Sequence, residues 1–70
     1  MNPISKMQAL IHVMMRHGIT WVELDQAGIT KKDYDQMQAE NYNAVHDGLT
    51  LDQAEYEQYV KEFEEKLLSV

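Results

Sequence analysis

In the last third of the chain the apolar residues Tyr56, Tyr59, Val60, Phe63 and Leu67 recur at steps of three and four, with Glu55, Glu62 and Glu65 away from them. That period marks an amphipathic helix, here expected from Leu51 to near Leu68. The first third is apolar more broadly. Ile4, Met7, Leu10, Ile11, Val13, Met14 and Met15 cover more than one stripe, which places a helix from Pro3 to His17 either at the centre of the fold or partly at an interface. Between these lie a short helix from Trp21 to Ala27 and a longer one from Lys31 to about His46. On the longer one Tyr34, Met37, Ala44 and Val45 share a face that Gln38 and Asn41 interrupt, a pattern compatible with a break near Asn41 to Asn43. No segment reads as a strand.

The boundaries come from a phrase used three times: Gly18-Ile19-Thr20 with Glu23, Gly28-Ile29-Thr30 with Asp33, and Gly48-Leu49-Thr50 with Gln53. Glycine suits the left-handed residue that ends a helix, the aliphatic residue suits a hydrophobic staple, and threonine accepts from the N–H groups exposed at the next helix start. The side chain three positions later completes a capping box for Glu23 and Gln53 and approximates one for Asp33. Asn2 is placed to cap the first helix, with Pro3 at its first position. The helices between the phrases differ in length, so this is punctuation and not a solenoid repeat. The expectation is one compact all-α, four-helix domain over residues 1–70, packed around Leu10, Ile11, Met14, Leu24, Tyr34, Met37, Tyr59, Val60 and Phe63.

Charge narrows the functions open to such a domain. Twelve acidic and six basic residues among 70 give a net charge of −6, which opposes approach to phosphate backbones and anionic lipid unless the basic side chains are segregated. The most apolar N-terminal run, Leu10 to Met15, is interrupted by His12 and closed by Arg16, well short of the ~20 residues of a membrane span and without a cleavage site after it. With no cysteine there is no disulfide framework and no thiolate metal site. A cytoplasmic protein without membrane association is expected.

Catalytic and metal-binding patterns are missing. A chain this short buries only about 60% of its unfolded surface and has little stability to spare for an enclosed cavity. His12, His17 and His46 form no i, i+4 pair, and serine occurs only at Ser5 and Ser69, so neither a zinc motif nor a nucleophilic triad can be assembled from spacing. The loops at Gly28 and Gly48 place Tyr34 and Ala54 where a calcium loop needs its bidentate carboxylate. No enzyme, metal or cofactor is expected. His17 and His46 lie at expected helix ends, where an imidazolium is favoured by the dipole.

Residues 18–37 combine a short helix, a Gly-Ile-Thr turn and a second helix through Thr20, Glu23, Leu24, Gly28, Ile29 and Thr30, with Tyr34 near the apolar position of the second helix. This stretch, about a third of the chain, resembles the helix-turn-helix of phage-repressor and Cro-type DNA-binding domains. It departs from them in an interval from Thr20 to Gly28 one residue shorter than usual, and in Asp25 where a small residue generally packs. The resemblance implies a regulator whose Lys31 and Lys32 open a recognition helix, and it requires them to share a carboxylate-free face with Arg16.

The competing reading, and the preferred one, is a small acidic non-enzymatic modulator or inhibitor that works by binding another protein. Trp21, Met14 and Met15 are adaptable apolar anchors. Glu62, Glu64 and Glu65 offer an acidic helical face able to antagonise a partner that otherwise grips nucleic acid. The plainer alternative for the last helix is a solvated face laced by the i, i+4 ion pairs Glu57–Lys61 and Glu62–Lys66; on the binding reading the first helix is the candidate surface for a homodimer.

Overall fold

At the starts of the helices among the described residues, side chains take up backbone N–H groups that the helix itself cannot satisfy. The computed structural model describes residues 1–68, and among them lie α1 (Pro3–His17), α2 (Trp21–Gln26), α3 (Lys31–His46) and α4 (Gln53–Leu68), without strands. Asn2 Oδ1 accepts from the N–H groups of Ile4 and Ser5 at 3.0 and 3.1 Å, with Pro3 at the first helical position. α1 ends at Gly18, whose φ of 63° is the left-handed conformation that a Cβ penalises, and the Ile19 N–H closes the turn on the Met14 carbonyl at 2.9 Å.

The capping boxes are ranked differently from the expectation. Asp33 forms the tightest: its carboxylate accepts from the Thr30 N–H and hydroxyl at 3.0 Å each, while its own N–H donates to Thr30 Oγ1 at 3.2 Å. Glu23 holds Thr20 more loosely, at 3.4 Å from the N–H and 3.2 Å from the hydroxyl. The third box does not form. α4 starts at Gln53, two residues after the expected Leu51, and its cap is Asp52, whose Oδ1 accepts from the Glu55 N–H at 3.0 Å. The cause is tertiary. The buried Ser5 hydroxyl accepts from the Asp52 N–H and donates to the Asp52 carbonyl, both at 2.8 Å. The Asn2 amide donates to the Thr50 carbonyl at 2.7 Å and the Asn2 N–H to Glu55 Oε1 at 3.1 Å. Residues 50–52 are thereby drawn against the start of α1 instead of winding into the helix. Leu49 and Leu51 stay on the surface as a result.

α1 is the central helix, packing most extensively on α4 and next on α3. Met7, Leu10 and Val13 meet Leu24 of α2, Met37 of α3 and Phe63 and Leu67 of α4, and the junction isoleucines Ile19 and Ile29 complete the same cluster. Leu10, Leu24, Met37 and Phe63 are therefore buried as expected, whereas Ile11, Met14, Tyr34, Tyr59 and Val60 are half-buried at its edge. Ile19 and Ile29 read as staples in the sequence but act as core, because each short turn folds its aliphatic residue inward. α3 is unbroken through Asn41. Its apolar residues divide between two faces, Met37 and Ala44 inward and Val45 outward.

Candidate functional site

Trp21 occupies the first position of α2, where the turn from α1 leaves it beside α3. The indole is 56% exposed and packs against Tyr34 at nearly a right angle, with ring centroids 4.6 Å apart. An edge-to-face pair of this kind holds both rings in place while leaving much of their surface available. Around the pair opens a cleft of about 570 Å³ bordered by Asp25, Ile29, Lys31, Asp35 and Gln38. Lys31 Nζ lies 3.0 Å from Asp35 Oδ2, so one cation and one carboxylate of the rim are already paired. Asp25 remains an exposed carboxylate on the α2 side. The cleft combines two aromatic rings, an aliphatic floor and a net negative rim.

The other expected anchors separate. Met15 is 79% exposed, one of the most open apolar side chains in the molecule, while Met14 is half-buried against the core. On α4, Glu62 and Glu65 are exposed, and Glu64 is half-buried with its carboxylate 2.9 Å from His17 Nε2. That bond, helped by the nearby charges of His17 and Arg16, lowers the Glu64 pKa below its ordinary value and ties the end of α1 to α4. The pairs Glu57–Lys61 and Glu62–Lys66 are not among the ion pairs of the described residues, and Glu62 instead accepts from Gln58 at 3.4 Å. Burial raises the Tyr59 pKa, and the charges of Glu55 and Glu62 raise it further, a sign of the negative potential along this face.

Lys31, Lys32 and Arg16 are all exposed; Asp35 bonds Lys31, and Lys32 and Arg16 add small contributions to the lowered pKa values of Asp33 and Glu64, whose first causes are the hydrogen bonds to Thr30 and His17. The Asp33 shift comes first from its bonds to Thr30, so its negative charge is fixed at the start of α3, beside the lysines. His12 packs edge-on against Tyr56 with ring centroids 6.1 Å apart, linking α1 to α4. No group of histidine, cysteine or acidic residues suited to a metal ion occurs among the described residues, and no helix there is long and apolar enough to cross a membrane. Ser69 lies outside the described residues.

Sequence reasoning found Trp21 but took Tyr34 for core and gave Asp35 and Gln38 no role at the site. The two rings are thirteen positions apart across a junction, a separation that carries no periodic signal. Comparison with protein-family models, with curated proteins and with solved structures finds no match.

Proposed function

We propose that the chain is a small acidic, non-enzymatic modulator that binds a basic surface of another protein, with the Trp21–Tyr34 cleft as its anchor. The observation that carries this reading is an indole more than half exposed, fixed edge-on by Tyr34, above a rim holding Asp25 and Asp35. Monomeric proteins seldom leave a tryptophan so open, and aromatic anchors in preformed clefts dominate binding energy at interfaces. The net charge of −6 steers such a surface toward cationic partners and away from phosphate. Glu62 and Glu65 add exposed carboxylates on α4. A partner that holds nucleic acid by a basic groove is the natural target, since carboxylates on a rigid helix can occupy sites meant for phosphates. The Asp35 carboxylate paired with Lys31, and the Asp33 carboxylate held on Thr30 at the start of α3, weigh against a DNA-binding role for the helix-turn-helix-like unit.

The test is affinity capture with wild-type protein, Trp21→Ala, and the double variant Glu62→Gln with Glu65→Gln. A partner lost with Trp21 and weakened by salt supports the reading. Retention of every partner by both folded variants overturns it, as does saturable, salt-sensitive binding to random DNA duplexes that Lys31→Glu abolishes.

A further inference from the structure

Between α1 and α3 runs a groove of about 590 Å³ whose walls carry no charged side chain. α1 contributes Gln8 and Ile11, and α3 contributes Gln38, Asn41, Tyr42 and Val45. The other grooves described on this molecule are all edged by acids or lysines. In a chain with 26% charged residues, an uncharged strip two helices wide is a departure that solubility does not require. Its apolar side chains are also open: Tyr42 is 72% and Val45 57% exposed. Met15, 79% exposed, stands one turn beyond Ile11 and continues the row along α1.

We infer that this groove is the contact face for a second copy of the same chain, in a two-fold dimer that packs α1 and α3 against their counterparts. Charge identifies the occupant. Two copies each carrying −6 repel wherever their acidic surfaces meet, so self-association is confined to a face without charge. A basic partner has no electrostatic reason to choose that face. The groove is also self-complementary, because Gln8, Gln38, Asn41 and Tyr42 hold both donors and acceptors, and a two-fold axis brings such a set against itself. Asn41 lines the groove at its middle, between Gln38 and Tyr42 on α3 and facing Gln8 and Ile11 on α1 across the strip. An amide within an apolar helical face also fixes the register of a pair, as it does in coiled coils. From Gln38 to Val45 the strip follows only about two turns of α3. It is smaller than the roughly 800 Å² per partner of a standard interface, so the dimer is weak and concentration-dependent.

Sedimentation equilibrium on the full chain, from about 10 μM to about 1 mM, reads the monomer–dimer constant directly. The expected result is a reversible dimer that strengthens when salt rises from about 0.05 to about 0.5 M, because screening relieves the repulsion between copies. Tyr42→Glu and Val45→Glu place a carboxylate in the groove and are expected to weaken it by at least about tenfold. Both positions are solvent-facing, so the helical spectrum stays intact. Trp21→Ala, outside the groove, is expected to leave the constant unchanged, which separates this dimer from binding at the aromatic cleft. A monomer at every concentration overturns the inference, as does a dimer that dissociates in salt, one that tolerates both glutamates, or one that depends on Trp21.

Discussion

Replacing Ser5 by Ala is expected to destabilise the fold by about 1–3 kcal/mol, whereas Thr50→Ala is expected to remain within about 0.5 kcal/mol of wild type. The magnitude follows from what each side chain holds. Ser5 is fully buried, and its hydroxyl is the bonding partner of both the N–H and the carbonyl of Asp52. The carbonyl has a second partner in the Tyr56 N–H at 2.9 Å and tolerates the loss. The Asp52 N–H has no replacement, and a donor stranded in a partly buried contact costs its full desolvation. The Thr50 hydroxyl makes no hydrogen bond among the described residues, and the bond of its carbonyl to Asn2 survives truncation. For a domain of this size the whole stability is only about 4–10 kcal/mol, so the Ser5 loss lowers the melting temperature by several degrees at least. Urea unfolding followed by far-ultraviolet circular dichroism gives both values, provided the denaturant slope is the same in all three proteins. A Ser5→Ala variant as stable as wild type, or a Thr50→Ala variant weaker than Ser5→Ala, refutes the account of how α4 begins.

Thr30→Ala removes the tighter of the two capping boxes and is expected to cost about 0.5–2 kcal/mol, more than Thr20→Ala, in the same unfolding assay; the reverse order contradicts the bond lengths. The carboxyl pKa values of Asp33 and Glu64 are lowered by folding, so the unfolded chain binds more protons in the acid range. Their contribution is complete above the ordinary carboxylate values and is lost as pH falls through the lowered ones. The stability difference between wild type and Glu64→Gln, followed as pH falls through the carboxylate range, is therefore expected to shrink, and a difference that grows there argues against the His17 contact. Gly18→Ala forces a Cβ into left-handed backbone and is expected to cost about 1–2 kcal/mol, although open space surrounds the position; a neutral result shows that the turn relaxes. Leu10→Ala empties the most enclosed point of the core and is expected to cost about 2–5 kcal/mol, read as a fall in the urea midpoint.

Local signals carried the all-α class and three of the helix starts, because Asn2 and Thr30 accept from N–H groups two or three residues on, and the Glu23 carboxylate reaches back three residues to Thr20. Periodicity likewise placed Leu10, Leu24, Met37 and Phe63 inside, since a helix turns its residues inward at fixed intervals. The start of α4 was not decided this way. Thr50 and Gln53 carry the same local phrase as the other junctions, but Ser5 and Asn2, almost fifty positions away, bond the backbone of residues 50–52 and move the cap to Asp52. The surfaces are tertiary for the same reason. Trp21 and Tyr34 become neighbours only when the junction at Gly28 folds α2 beside α3, and Val45 faces outward because α1 covers the side of α3 that holds Met37 and Ala44. Composition set the charge of the molecule at −6, but the distribution of that charge depends on how the helices pack. Packing alone left an uncharged strip on one pair of helices and drew Glu64 out of the acidic face to His17.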